Sequence, residues 1–186
     1  MSTPYVCPAA FSGSLDNFLR RIIHKPEKIL KPFVKEGMTV LDMGCGPGYF
    51  TVELARLAGE SGKVIAADLQ QEMLDKMLHK VNSSGLGARV EPHKCEAERT
   101  GINRKVDFIL TFWMVHEVPD QRSFIEEMKS LLNPGGKILV VEPVIHVTKR
   151  SFNEMISRLE SAGLKIIDRP RIRFSRSLVM VIHSHS

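Results

Sequence analysis

Short runs rich in β-branched and aliphatic residues alternate along this chain with helix-length amphipathic stretches, and this alternation restricts the fold more than any other feature. A β-run, a helix-length crossover and a second β-run make a βαβ unit, and repeated units make a largely parallel sheet. The strands expected are Thr39–Asp42, Lys63–Asp68, Ala88–Lys94, Val106–Thr111, Lys137–Glu142, Lys165–Phe174 and Leu178–Ser184. The helices expected between them are Tyr49–Ala58, Gln71–Ser83, Gln121–Leu132 and Ser151–Ala162. Gly59, Gly85, Asn133-Pro134-Gly135-Gly136 and Gly163 follow these helical patterns as stop signals. Only a short turn near Ser175–Ser177 separates the last two strands, so they must run antiparallel. The expected fold class is therefore α/β: a doubly wound seven-stranded sheet, parallel until an antiparallel C-terminal hairpin, with helices on both faces.

Ahead of the first strand, Phe11, Leu15, Phe18, Leu19, Ile22 and Ile23 follow helical spacing. Pro26 can open a second helix, read to about Lys35, since proline is tolerated at a first helical position. The 186 residues suit a single domain, with 1–37 as cap or lid helices and 38–186 as the core. A basic face of Arg20, Arg21, Lys25 and Lys28 could rest on a membrane surface.

Composition narrows the class. With 43% hydrophobic and 25% charged residues the chain reads as an ordinary soluble domain. No uncharged apolar stretch approaches the ~18 residues of a membrane span. The net charge of +5 permits an anionic small molecule, a nucleic acid or an anionic membrane as partner without selecting one. Cys7, Cys45 and Cys95 form no CxxC pair, so neither a disulfide framework nor a metal site is expected. Free thiols and an opening Met-Ser-Thr-Pro-Tyr without a leader pattern lead us to expect a cytoplasmic protein.

The first strand runs directly into Gly44-Cys45-Gly46-Pro47-Gly48, followed by a helix. Glycines there permit a sharp turn and close approach of a ligand, and a helix N-terminus favours negative or polar groups. A dinucleotide fingerprint would place its third glycine at position 49, which is Tyr49. Asp68 ends the second strand about 20 residues beyond the loop, where an acid can accept both hydroxyls of a ribose. The lesser alternative is that it caps the next helix.

The segment Val40-Leu41-Asp42-Met43-Gly44-Cys45-Gly46-Pro47-Gly48-Tyr49-Phe50-Thr51 resembles the first motif of class I S-adenosylmethionine-dependent methyltransferases. Within that Rossmann-like family it is most similar to the ubiquinone and menaquinone biosynthesis group, over about Phe33 to Glu142. The resemblance implies S-adenosylmethionine as cofactor and S-adenosylhomocysteine as product. It implies that Gly44, Gly46 and Gly48 line the methionine side and that Asp42 holds the loop and helps bind the ammonium. Asp68 would bind the ribose, with Leu69 against the adenine. Glu96-Ala97 stands where the family often has Asp-Ala at the adenine amino group. Thr111 and Phe112 would sit at the end of the fourth strand near the cofactor.

Val115-His116-Glu117-Val118-Pro119-Asp120 is similar to the family's His-His-Val-Pro-Asp stretch, with Glu117 replacing the second His. If the acceptor loses a proton, His116 is the candidate base, because imidazole titrates near neutrality. Glu117 is the reserve, and Glu142 could also face the acceptor. The Asn/Asp-Pro-Pro-Tyr/Phe motif of nucleic-acid amino-methylating enzymes is absent after the fourth strand, which argues against a nucleic-acid substrate. Arg169, Arg171 and Arg173 alternate with Pro170, Ile172 and Phe174, which would put the arginines on one strand face as a solvated edge or an anion site. The function expected is methyl transfer to a small molecule. The alternatives are an enzyme acting on protein or RNA, and a non-catalytic cofactor-binding module. Arsenite chemistry through Cys7 and Cys95 is a weaker option still.

Overall fold

The computed structural model describes residues 24–183. The helix expected over residues 11–23 and the final residue of the last expected strand, Ser184, lie outside them. In chain order the elements are α1 (Pro26–Leu30), β1 (Thr39–Met43), α2 (Thr51–Ala58), β2 (Lys63–Asp68), α3 (Gln71–Ser83), β3 (Val90–Lys94), β4 (Val106–Phe112), α4 (Gln121–Leu131), β5 (Leu132–Pro143), α5 (Lys149–Ser161), β6 (Leu164–Asp168) and β7 (Ser175–Ile182). Single 3₁₀ turns occupy Gly87–Arg89 and Val115–Glu117.

The seven strands form one sheet in the order β3-β2-β1-β4-β5-β7-β6. β1 through β5 pair in parallel, whereas β7 lies antiparallel to both β5 and β6. The expected hairpin is therefore present, and β7 inserts between β5 and the edge strand β6. The topology reverses at β1, where the chain winds outward to both sides. Ligands of doubly wound sheets bind beyond the strand ends at such a point.

Side chains alternate across the central strands with period two. Leu41, Met43, Ile65, Ile109, Ile138 and Val140 face α4 and α5. Val40, Val64, Ala66, Phe108, Leu110, Leu139 and Val141 face α1, α2 and α3. Each fully buried aliphatic side chain contributes roughly 1.5–3 kcal/mol of transfer free energy, so both faces anchor the sheet. Asp42 shares the parity of Val40 but is a carboxylic acid in a layer of aliphatics.

Two expected elements end early. α1 stops at Leu30 rather than near Lys35, because Pro32 has no N–H to donate to the Lys28 carbonyl. β6 ends at Asp168 rather than Phe174, because Pro170 cannot donate to a ladder and Asp168 turns its carboxylate onto the Arg169 N–H at 2.7 Å. Residues 169–174 instead form a strap, and β7 starts at Ser175. The reversal thus occupies the strap and not Ser175–Ser177. Arg169, Arg171 and Arg173 are all exposed, but on irregular chain and not on a strand face, while Ile172 tucks into the core.

Candidate cofactor and acceptor site

Gly44 follows β1, and its N–H and that of Cys45 both donate to the Ala67 carbonyl, at 2.8 and 2.9 Å. This folds the loop toward the end of β2. At Gly48, φ is +79° and a Cβ would lie 2.7 Å from Met77 Cγ, so the position requires glycine on both conformational and steric grounds. At Gly44, φ is +72° and a Cβ would meet Met114 Cγ at 3.0 Å, so the segment after β4 packs directly over the loop.

Asp42 is buried at 3% exposure, and its Oδ2 accepts the Thr51 hydroxyl at 2.6 Å. That bond ties β1 to the first turn of α2 across the glycine loop. Burial pushes the Asp42 carboxyl up to about 7; the Thr51 hydrogen bond opposes this and the neighbouring Asp68 charge adds to it. Asp68, also buried, accepts the Gly46 N–H through Oδ2 and the Gln70 N–H through Oδ1, both at 2.9 Å. Its own carbonyl accepts the Cys95 N–H at 2.9 Å. Burial raises its carboxyl as well, against the pull of the Gln70, Gly46 and Leu69 N–H groups.

Two buried carboxylates thus stand beside a glycine loop, and neither forms an ion pair with a described residue. Such a pair is costly unless a cation or several hydroxyls meet it. Leu69, next to Asp68, leaves 39% of its surface exposed. A cationic, ribose-bearing ligand with a flat base fits this donor set.

The remaining expected cofactor contacts are placed differently. Glu96 and Ala97 are exposed, and Glu96 pairs with Arg99 at 2.8 Å. Thr111 is buried and turns its hydroxyl to the Leu139 carbonyl at 3.5 Å. Phe112 packs against Phe50, at a ring distance of 4.2 Å, and against His24 and Trp113. The buried Cys45 and Cys95 thiols are both raised, Cys95 to about 12, by burial and by nearby carboxylates, which leaves neither as a thiolate.

Past β4 the chain turns at Trp113, a non-glycine residue with φ +60°, whose N–H donates to the Val141 carbonyl at 2.7 Å. The following 3₁₀ turn lies against the end of β5. There Glu142, with no exposed surface, accepts the Val115 N–H through Oε1 at 2.9 Å and binds His116 Nδ1 through Oε2. His116 itself is half-buried, with its ring stacked on that of His146 at 6.0 Å. Burial alone would lower the His116 pKa, but the Glu142 hydrogen bond and charge, with Glu117, outweigh it and raise it. Glu117 is exposed and 3.9 Å from His116 Nε2, beyond hydrogen-bond range.

The sequence of the methyltransferase-domain family matches this chain over residues 34–170, which takes in the glycine loop, Asp68 and the His116 segment. The chain belongs to this methyltransferase family. It is a class I S-adenosylmethionine-dependent methyltransferase. A solved S-adenosylmethionine-dependent methyltransferase from Aquifex aeolicus is 32% identical, with a TM-score of 0.84 over 94% of this chain and 99% of that one. The ubiquinone/menaquinone biosynthesis C-methyltransferase of Escherichia coli is 32% identical over 124 residues, 64% of this methyltransferase and 49% of that protein. The chain therefore spans about half the length of the curated relatives it matches. Fibrillarin from Aeropyrum pernix, solved with natively bound S-adenosylmethionine, shares the fold at 20% identity, with a TM-score of 0.65 over 89% of this chain and 72% of that one.

Two residues in this methyltransferase's site carry roles that the sequence reading did not assign. Thr51 holds Asp42, and its only signal was a hydroxyl in the first turn after the glycine loop. Glu142, at the end of β5, binds His116 on the turn after the neighbouring strand β4.

Proposed function

We propose that this methyltransferase transfers a methyl group to carbon on a small, electron-rich organic acceptor, with His116 removing the acceptor's proton. S-adenosylmethionine supplies an electrophilic methyl group carried on a sulfonium. In this reading Gly44, Gly46 and Gly48 line its methionine end, Asp42 receives the ammonium, Asp68 the ribose hydroxyls and Leu69 the adenine. Phe112 closes the cofactor wall at the end of β4 with the buried Thr111 behind it, and Glu96, with Ala97 beside it, reaches the adenine amino group only on leaving Arg99. Met114 on Gly44 keeps the acceptor side of the loop close to the cofactor side.

The observation that carries the proposal is the His116 ring, held at Nδ1 by a buried carboxylate and packed one residue from Val115 at the strand end. With Nδ1 occupied, Nε2 can take the proton of an acidic hydroxyl, and the electron density released into a conjugated acceptor raises the nucleophilicity of its carbon. General-base help of this kind is worth about 10²–10⁴-fold, and orientation supplies a further ~7–11 kcal/mol. Glu117 acts as the nearby charge and the reserve base. The E. coli relative is a C-methyltransferase of quinone biosynthesis, which favours a phenol- or hydroquinone-like acceptor, although only part of its length is matched.

A second reading, methylation of RNA or protein, rests on the exposed arginines of the strap. Incubation with methyl-labelled S-adenosylmethionine and a panel of hydroquinones, phenols, RNA and peptides separates the two. Label in a carbon-methylated small molecule is the expected result. Label only in macromolecules, with binding that weakens steeply in salt, would favour the second reading.

A further inference from the structure

We infer that Glu142 is a positioning residue that fixes the proton of His116 on Nδ1 and leaves Nε2 free to act. The inference deepens the proposed base role and rests on it for its catalytic consequence. Its structural part stands on its own. Glu142 and His116 are 26 residues apart, yet the carboxylate spans two successive residues, taking Val115 N–H on one oxygen and His116 Nδ1 on the other. Val115 is buried, so the first contact anchors the carboxylate against the main chain and the second transfers that rigidity to the ring. An ionised carboxylate only accepts hydrogen bonds, so Nδ1 carries the hydrogen and Nε2 bears the lone pair.

No other described residue pairs with the Glu142 carboxylate. Arg176, its partner across β7, turns its guanidinium to the Val147 carbonyl at 3.2 Å. Among the described residues, the titratable groups facing His116 are Glu142 from β5, Glu117 from its own turn and His146 from the loop after β5. Glu142 is the only one of the three both buried and hydrogen-bonded to the ring, so it alone sets the tautomer. When Nε2 takes a proton from an acceptor hydroxyl, the imidazolium formed has its counter-charge already in place at Nδ1. The hydroxyl proton passes to Nε2, the proton of the methylated carbon leaves to solvent, and the oxygen recovers its proton from the imidazolium, so that Glu142 neither gains nor loses one.

Replacement by glutamine tests this arrangement. In Glu142→Gln, the side-chain oxygen can still accept from Val115 N–H, but the remaining group is an NH₂ that must donate. The ring then has to present Nδ1 as acceptor and move its hydrogen to Nε2, which removes the base. The experiment is ¹⁵N NMR of the histidine side chains across pH, on wild type and on Glu142→Gln, without cofactor or acceptor. His116 is assigned by comparison with His116→Ala. Wild type is expected to show an Nδ1–H tautomer and a titration midpoint above the ordinary value, and the variant an Nε2–H tautomer with a lower midpoint. A wild-type His116 in the Nε2–H form overturns the inference even if the variant does not fold. So does an unchanged tautomer and midpoint in a folded variant. Turnover is read separately: kcat is expected to fall about 10²–10⁴-fold in Glu142→Gln with KM for S-adenosylmethionine unchanged, and Glu142→Asp to recover part of it. If the NMR result holds while His116→Ala turns over like wild type, the base role fails and the positioning of the ring stands.

Discussion

The two halves of this site are built in opposite ways. The cofactor half is contiguous: Asp42, the glycine loop and Thr51 lie within ten residues, and Asp68 ends the adjacent strand. Among the described residues, its two buried carboxylates have no ion-pair partner. The proposed acceptor half is assembled across the sheet from β4 and β5, and its buried carboxylate is already paired, with His116. In the proposed reading the first half is completed by a cationic ligand. The other is internally satisfied and offers one free ring nitrogen. Binding and chemistry should therefore respond to different residues.

The largest expected separation comes from His116→Ala. It should lower kcat by about 10²–10⁴-fold with cofactor affinity unchanged, measured by steady-state methyl transfer and cofactor titration. A fall in both together would break the division between the halves. Asp68→Ala should act the other way, weakening cofactor binding by roughly 10–100-fold, the equivalent of about 1.5–3 kcal/mol for hydrogen bonds to a charged group.

Protonation gives a finer comparison. Asp42 sits at about 7 in the folded protein, above its ordinary value. A raised acid adds stability to the apoprotein at low pH, and that contribution is lost as pH rises through about 7. The ammonium of the cofactor favours ionised Asp42, so affinity should rise with pH by at most roughly tenfold per unit and level off above about 7. Asp42→Asn should flatten that slope, as seen by titration at several pH values. In the acceptor half, the raised His116 must be unprotonated to act. The acid limb of turnover should therefore lie above the ordinary histidine value, and the stability from the His116–Glu142 pair should fade as pH rises through the raised one.

The smallest effect is expected from replacing Arg169, Arg171 and Arg173 together by Gln. With an uncharged small acceptor this should change kcat/KM by roughly twofold or less, as for solvent-exposed charges generally. A large loss confined to anionic acceptors would assign the strap a binding role.

The same division explains what was legible in the sequence. β1 to β5 and their helices announced themselves through local periodicity, and the glycine loop through residues that only a sharp turn needs, such as Gly48 against Met77. The Pro32 and Pro170 boundaries are also written locally, but the alternation of Arg171 and Arg173 imitates a strand beyond Pro170. The His116–Glu142 bond had no local signal, because parallel pairing of β4 and β5 brings together residues that no spacing rule connects. Glu96 resembled an adenine ligand by position, yet Arg99 three residues on gives its carboxylate a surface partner. Local chemistry competes there with the role implied by resemblance.

Calorimetric titration of S-adenosylhomocysteine into wild type, Asp68→Ala and His116→Ala tests the central division most directly. Saturable binding to wild type, equal binding to His116→Ala and strongly weakened binding to Asp68→Ala are the predicted results. Loss of binding in His116→Ala as deep as in Asp68→Ala, or no binding to wild type, would contradict the account.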